Sequence, residues 1–247
     1  MSYPSENDSD AARNDRERID KSSRMNWVPL RKLVRKKVCI VPTWQGWIVL
    51  LCIGIVAATM ILREAYIFLA VQNSLPDGIL VVEGWLPSYA AKVVIEEYSQ
   101  HHYLGLYATG VPIEEGSPLS KYGTDADLMT DILKRLGANP QTLHAVPAPD
   151  VKKDRTYSMA LALRTYLQKQ GMPASRVNLV SMGAHARRSR LLYEKAFGEG
   201  SQIGIIALQD RSFDPTRWWK SSAGFRIVTD EMIAYVYARI FFHPAEE

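Results

Sequence analysis

The feature that most constrains this chain is an uncharged run of 19 residues from Trp44 to Leu62, WQGWIVLLCIGIVAATMIL. As an α-helix, a run of this length can cross a hydrocarbon core of about 30 Å. Trp44 and Trp47 lie at one end, and indole rings favour the headgroup level of a bilayer. A cleaved signal peptide fits poorly, because 43 residues precede the run and the usual apolar region has only about 7–15 residues. A buried core helix is the other alternative, but the length favours a membrane-spanning helix with its juxtamembrane segment at residues 44–73.

The charges around this run predict its orientation. Five cations stand just ahead of it: Arg31, Lys32, Arg35, Lys36 and Lys37. On the far side, Arg63 is the only cation before Lys92. Because cytoplasmic flanks carry the excess of Lys and Arg, we expect residues 1–43 to form a basic, largely disordered cytoplasmic tail that touches anionic lipid. Residues 74–247 are then an exported domain.

The net charge of +4 does not indicate a nucleic-acid-binding protein. Residues 1–43 contain ten Lys/Arg and six Asp/Glu, whereas residues 74–247 contain 19 of each sign. The folded part is therefore neutral, and a nucleic-acid-binding face needs a basic footprint on the domain itself. Both cysteines, Cys39 and Cys52, precede that part, which excludes a disulfide framework within it.

Beyond residue 77, apolar runs alternate with helical patterns, which is typical of a parallel sheet covered by helices. Five strands are predicted, at residues 78–84, 103–110, 142–149, 177–180 and 203–208. Thr124 and Asp127 resemble a capping box, and a final helix is expected from Thr229 to Phe242. The long segment 111–123 is predicted to be a functional loop. We therefore expect one three-layer α/β domain with a mostly parallel sheet of about five strands.

Three arginines follow the fourth predicted strand, at the start of a helix: Arg187, Arg188 and Arg190. Cations in a first helical turn oppose the helix dipole. In a parallel sheet this helix start lies at the ligand-binding edge, and an anion bound there would explain the cations. We predict that Arg187 and Arg188 bind an anion, whereas Arg190 is expected to be a surface residue that pairs with Glu194.

Other candidate residues follow the remaining strands. His185 is the candidate general acid or base, because its side chain titrates near neutral pH. Glu83 and Asp150 are candidates to orient the histidine or the substrate, and Asp154 is expected to cap a helix rather than act as an acid. Arg155 and Thr156 are candidate anion ligands, as is Gly110 in the turn after the second strand. Three tryptophans, Trp85, Trp218 and Trp219, either wall the pocket or pack in the core.

Known chemical signatures are mostly missing from the sequence. The histidines lack metal-ligand spacing with cysteines or acids, so no metal site is predicted. Neither GxGxxG nor GxxxxGK[ST] follows the first strand, and neither GxSxG nor HExxH occurs. These absences weaken nicotinamide, P-loop, hydrolase-elbow and zincin interpretations, and the sequence leaves the identity of any cofactor open.

The ordered set of these segments resembles the SanA/YdcF/ElyC-like family, whose domain has no established activity. Asp77 to Val82 is similar to the opening strand of the family, and Thr109-Gly110 to its Ser-Gly-Gly turn. Arg155 to Ala160 stands where the family has an Asn-Thr-x-x-Asn-Ala-like helix start. His185 and Arg188 are in register with its His-x-x-Arg-Ala element, while Trp218-Trp219 and Glu231 fit its closing segment. The chain departs from the pattern at Val82-Glu83-Gly84, at Arg155 and at Met159.

The resemblance implies a Rossmann-like domain anchored in a bacterial inner membrane, with a role in envelope biogenesis or barrier integrity. We expect the exported domain to bind an anionic intermediate such as a phosphate-bearing lipid-linked precursor, and the sequence leaves open whether the domain also processes it. A non-catalytic envelope factor that docks partner proteins is one alternative. A nucleotide- or cofactor-binding domain facing the cytoplasm is the other.

Overall fold

A computed structural model of the protein describes residues 41–113, 121–172 and 175–244. Most of the predicted cytoplasmic tail (1–40) and the middle of the predicted functional loop (114–120) lie outside these ranges. Residues from Cys52 onward form a compact unit, which contains the α/β domain.

The first helix, α1, extends from Trp44 to Leu69. It includes the whole apolar run and continues through Arg63 and Glu64 without a break. Among the residues that the structure describes, it is the one helix that is long and apolar enough to cross a membrane. This finding is consistent with a single-pass membrane anchor.

The α/β domain is built on a parallel sheet of five strands in the order β3-β2-β1-β4-β5. The strands are β1 (Gly78–Glu83), β2 (Tyr103–Gly110), β3 (Leu143–Pro147), β4 (Arg176–Met182) and β5 (Gln202–Leu208). The three central strands are buried along almost their whole length, as their near-continuous apolar runs require. The predicted fold class is confirmed.

Helices cover both faces of this sheet. On one face, α2 (Ser88–Gln100) and α3 (Asp125–Arg135) pack against Leu80 and Val82 of β1. On the other face, α4 (Arg155–Lys169) and α5 (Ala186–Phe197) pack against Ile79 and Val81. This alternation follows from the period of two along a strand, which sends successive side chains to opposite faces.

A third apolar cluster joins the end of α1 to the last segments of the chain. These are a 3₁₀ segment, Pro215–Lys220, and the final helix α6, Ser222–Ile240. Ala65, Tyr66 and Leu69 of α1 pack with Trp218 and Val228. Helix α6 begins earlier than the predicted Thr229, because the Ser221 hydroxyl caps it by accepting a hydrogen bond from the Gly224 amide at 3.0 Å.

The strand order fixes where a ligand site is expected. From β1 the chain proceeds outward through β2 and β3, and then returns to place β4 on the opposite side of β1. The carboxyl ends of β1 and β4 therefore flank a topological switch point, where ligands bind in open α/β sheets. Glu83 ends β1 at this point, and a 3₁₀ turn, Gly183–His185, leads from β4 into α5.

Candidate functional site

A cavity of about 590 Å³ opens at this carboxyl edge of the sheet, and we call it the edge cavity. Its walls come from the starts of α4 and α5, from α6 and from the segments that follow β1 and β2. Its polar lining residues are Asp125, Lys152, Asp154, Arg155, Thr156, His185, Arg188 and Glu231. The opposite wall is largely apolar, with Ala234, Tyr237, Ala238 and Phe242.

Beneath this cavity, the carboxylate of Glu83 is fully buried at the end of β1. It accepts hydrogen bonds from the hydroxyls of Ser181 at 2.5 Å and Ser189 at 2.9 Å. The β1–β4 register pairs Val82 with Val180, which brings Ser181 alongside Glu83. Among the described residues, the cationic or titratable group within ion-pair range of this carboxylate is His185, whose Nε2 lies 3.8 Å from Glu83 Oε1.

His185 is held from its other side by Glu231, which reaches the site from α6. The distance from His185 Nδ1 to Glu231 Oε1 is 2.8 Å. Arg188 donates from Nε to Glu231 Oε2 at 2.9 Å and from Nη2 to Oε1 at 3.1 Å. Arg188 Nη2 also lies 2.9 Å from Nδ1. Because the guanidinium is always a donor, these distances are best satisfied when Nδ1 carries a proton and both groups donate to the same carboxylate.

Glu231 is therefore an ionised acceptor at neutral pH. Burial alone would raise the pKa of its carboxyl, but hydrogen bonds and charges from His185 and Arg188 outweigh burial and lower the pKa to about 2. Nε2 of His185 is buried and has no hydrogen-bond partner among the described residues. The imidazole packs edge-on against Trp85, with ring centroids 5.1 Å apart.

A second wall of the edge cavity is the start of α4. Asp154 stands at the N-cap position in the left-handed region, with φ of 55°, and its side chain makes no capping hydrogen bond. The prediction that Asp154 caps this helix is therefore wrong. The Thr156 side chain is 6% exposed, and within the described ranges its hydroxyl has no partner. Lys152 and Arg155 add positive charge to this wall, and Arg155 lies close enough to Asp125 for its charge to act on that carboxyl.

Asp125, another acidic residue of the cavity lining, differs from Glu231 in the direction of its pKa shift. Burial raises the pKa of the Asp125 carboxyl, and the positive charge of Arg155 only partly opposes that effect. This side of the cavity therefore holds a carboxyl that is more easily protonated than an ordinary aspartate. The two acidic groups of the lining with shifted pKa values are thus shifted in opposite directions.

The structure brings together four of the predicted anion-binding and catalytic residues around one cavity: His185, Arg188, Arg155 and Thr156. Glu83 lies directly behind His185. Arg187 lies elsewhere: its guanidinium packs over the Phe68 ring at 4.0 Å, and its Nε donates to the Phe68 carbonyl. Its position at the helix start is therefore explained by a contact with α1, and it does not line the edge cavity.

Two further candidates also lie away from the cavity lining. Asp150 is exposed after β3 and does not line the edge cavity. Gly110 is buried where α3 meets the sheet, and a Cβ built on it would lie 2.3 Å from the amide nitrogen of Ala126. Gly110 thus allows α3 to pack closely against the sheet, which is a structural role rather than the predicted anion-binding one. Of the three tryptophans, Trp85 lines the cavity, whereas Trp218 and Trp219 pack near α1.

Sequence reasoning missed the roles of Glu231, Ser181 and Ser189. A weak signal existed for Ser189, because it follows His185 by one helical turn and so shares its face. Glu231 was noted only through the family resemblance, and it is 46 residues from His185 in sequence. Its position among apolar residues of a helix (Ile227, Val228, Met232 and Ile233) is the feature that could have marked it.

Within the described parts of the chain, no group of three or more His, Cys, Asp or Glu side chains is arranged to hold a metal ion. The site thus contains a hydrogen-bonded group of His185, Glu231 and Arg188, with the buried carboxylate of Glu83 3.8 Å behind the imidazole, beside a helix start with an unpartnered threonine. The resemblance to the SanA/YdcF/ElyC-like family stays a prediction from sequence, since neither a scan of protein-family models nor a search of curated proteins gives a match for this chain.

Proposed function

We propose that this chain is a single-pass membrane protein of the bacterial envelope whose exported α/β domain binds and processes an anionic, phosphate-bearing envelope intermediate. The observation that carries the proposal is the edge cavity, where Thr156 at a helix start lines the same cavity as the His185–Glu231–Arg188 chain, and the Thr156 hydroxyl has no partner among the described residues. The cavity volume of about 590 Å³ suits the head of a small molecule.

Several donors in this cavity suit a phosphate. Helix starts bind anions through their amide groups and dipole, and Thr156 adds a hydroxyl at the start of α4. Arg188 uses Nε and Nη2 on Glu231, while its Nη1 has no partner among the described residues. Lys152 contributes an ammonium group to the same lining. The carboxylates of the lining oppose these cations, so the cavity selects an anion by geometry rather than by a large positive field.

His185 is the proton-transfer group of the proposal. Glu231 holds the Nδ1–H bond and fixes the ring, and the charge of Glu83 stabilises the imidazolium that forms on protonation. Nε2 is buried in this structure, so a ligand reaches it only after a side chain moves. We propose that this side chain is Trp85, which is 41% exposed and packs against the imidazole.

Thr156→Val tests the binding part, because it removes the hydroxyl and keeps the shape. With the full chain in detergent micelles and geranyl phosphate as the probe, we expect Thr156→Val to weaken binding about tenfold, since a hydrogen bond to a charged group contributes roughly 1.5–3 kcal/mol. The matched control is Thr130→Val, because the Thr130 hydroxyl likewise has no hydrogen-bond partner among the described residues but lies on α3, outside the cavity. Equal effects of the two substitutions on binding, measured by calorimetry, would count against the site.

His185→Gln separates processing from binding. We expect this variant to retain geranyl phosphate binding within about threefold and to lose any phosphate release, followed by ³¹P NMR. Turnover that persists in His185→Gln would remove the catalytic part of the proposal, and the binding part would then rest on Thr156 alone.

One observation favours a second candidate, a non-catalytic factor that docks a partner protein. The second half of α6 and the residue that follows it expose a set of large apolar side chains: Ile233, Val236, Tyr237, Ile240 and Phe241. Contiguous exposed apolar patches often mark interaction sites. If docking is the function, Ile233→Ser with Ile240→Ser abolishes it in cells, while Thr156→Val and His185→Gln are silent.

A further inference from the structure

A groove separate from the edge cavity lies beside the end of α1, and we call it the headgroup groove. Its volume is about 630 Å³. One wall is the part of α1 from Arg63 to Ile67, and the other is the 3₁₀ segment Pro215–Lys220. No residue that lines the edge cavity lines this groove.

The two walls of this groove are held together by buried contacts. The Trp218 indole is 4% exposed, and its Nε1 donates to the Leu62 carbonyl at 2.8 Å. Tyr66 packs edge-on against Phe213, with ring centroids 5.8 Å apart. The 3₁₀ segment is therefore fixed to α1 at the point where the apolar run ends.

Three cations line the headgroup groove: Arg63, Arg217 and Lys220. All three are exposed, and none forms an ion pair with any carboxylate in the described ranges. Glu64 shares the lining. Hydrogen bonds from Thr216 lower the pKa of the nearby Asp214 carboxyl, and the charge of Arg217 adds a smaller effect in the same direction. Asp214 Oδ1 already accepts hydrogen bonds from the Thr216 amide and hydroxyl, both at 2.8 Å. Three cations against two acids leave the groove positive.

The position of Arg63 on α1 indicates where the groove lies relative to a membrane. Arg63 is the first charged residue after the uncharged run that begins at Trp44. In a membrane-anchored protein it lies where hydrocarbon gives way to headgroups, and long cationic side chains favour that level. The fold brings Arg217 and Lys220 to the same level from a distant part of the sequence, and half-buried Trp219 lines the groove beside them. Tryptophan favours the same interface.

This arrangement is unusual for the exported side of a membrane. The positive-inside rule predicts few cations there, and the sequence close to α1 provides only Arg63. The positive-inside rule therefore does not explain Arg217 and Lys220 at this level. Their positive charge is complementary to the negative phosphates of the outer leaflet. Exposed Ile67 and the Trp219 indole offer apolar surface next to the cations, as the glycerol and upper acyl chains of a lipid require.

We propose that the headgroup groove binds the phosphate of an anionic phospholipid in the leaflet that faces the α/β domain. Arg63 and Arg217 bind the phosphate oxygens with their planar guanidinium groups, and Lys220 supplies a point charge. The bound lipid holds the 3₁₀ segment and α6 at the membrane surface. The inference rests on the membrane anchorage in the proposed function, but it requires nothing from the edge cavity.

The test uses the full chain purified in a neutral detergent, with dioleoyl phosphatidylglycerol as the probe and dioleoyl phosphatidylcholine as the neutral lipid. Native mass spectrometry counts the lipids that each variant retains. The groove variant is Arg63→Gln/Arg217→Gln/Lys220→Gln. The control variant, Lys92→Gln/Lys134→Gln/Lys169→Gln, removes the same charge from exposed positions on α2, α3 and α4.

We expect the groove variant to bind phosphatidylglycerol at least tenfold more weakly, and the control variant to stay within twofold of the parent chain. Phosphatidylcholine should bind all three proteins alike. Unchanged phosphatidylglycerol binding in the groove variant overturns the inference, as does an equal loss in the control variant. Competition by water-soluble sn-glycerol 3-phosphate at the lipid concentration would identify a free phosphate site and would also overturn it.

Flotation of the expressed chain with alkaline-washed membranes distinguishes failure of the lipid inference from failure of the membrane anchorage. A chain that does not float contradicts the proposed function itself. A chain that floats but binds phosphatidylglycerol without its groove cations contradicts only the lipid inference.

Discussion

At the scale of single residues, Arg188 acts as a structural partner and as a candidate ligand at the same time. From sequence alone, removal of a cation from a helix start is expected to leave stability unchanged or to raise it. In the structure, however, Arg188 makes two hydrogen bonds to the Glu231 carboxylate. The negative group that accounts for Arg188 therefore belongs, at least in part, to the chain itself.

This pairing leads to a stability prediction that reverses the expectation from sequence. Arg188→Ala removes two charged hydrogen bonds from partly buried Glu231, so we expect the free energy of unfolding to fall by about 2–3 kcal/mol. The matched control is Arg190→Ala on the same helix, because Arg190 pairs with exposed Glu194 at 2.9 Å and such pairs contribute only about 0.3–0.5 kcal/mol. Urea denaturation of the full chain in micelles measures both. Equal losses of unfolding free energy in the two variants would show that the Arg188–Glu231 pair stabilises the fold no more than an exposed ion pair does.

The pKa of Glu231 predicts a pH dependence with a definite sign. The pKa falls from an ordinary value of 4.5 to about 2 in the folded protein, so the stabilising contribution is complete above pH 4.5 and is lost as the pH falls toward 2. The expected loss is about 3 kcal/mol over that window. Glu231→Gln has no group to titrate, so its stability should vary less with pH there. Parallel pH profiles for the two proteins would contradict the assignment.

At the scale of helices and strands, the sequence was informative where the signal is local. Central strands of a parallel sheet are apolar along their length, so their positions can be predicted closely. The Thr124 cap was also predictable, and its hydroxyl accepts from the Asp127 amide at 3.1 Å. Local sequence patterns do not predict contacts between distant segments. The contacts of Glu231 with His185 and of Trp218 with Leu62 are examples, because only the folded chain brings these residues together.

Gly110 is such a case, because its importance depends on how closely α3 approaches the sheet. A Cβ at Gly110 would lie 2.3 Å from the Ala126 amide nitrogen. This contact is too short, so the backbone would have to shift to accommodate the added methyl group. We expect Gly110→Ala to lower the free energy of unfolding by more than about 2 kcal/mol. Gly123→Ala is the control, since no heavy atom outside the neighbouring residues lies within 4 Å of its Cβ position, and it should be neutral. A stable Gly110→Ala protein that binds geranyl phosphate weakly would instead favour the predicted anion-binding role.

At the scale of the whole molecule, the proposed function places the two binding regions on one side of a membrane. The headgroup groove lies at the end of the apolar run, and the edge cavity lies at the carboxyl edge of the sheet in the same compact unit. Both proposals therefore depend on which compartment contains that unit. The sequence supplies an answer through the basic flank ahead of Trp44, whereas the fold is compatible with either side.

Fusion of alkaline phosphatase after Glu247 gives the decisive measurement of topology. Because five cations precede the apolar run and Arg63 alone closely follows it, we expect the fusion to be active, as this reporter gains activity only after export. Replacing the five cations with Gln should lower the active fraction several-fold, since they set the orientation. The matched control replaces five cations of the α/β domain, far from α1, and should leave the active fraction unchanged. Activity confined to a cytoplasmic reporter would place the edge cavity among soluble cytoplasmic anions, and the nucleotide-binding alternative would then be favoured over an envelope intermediate.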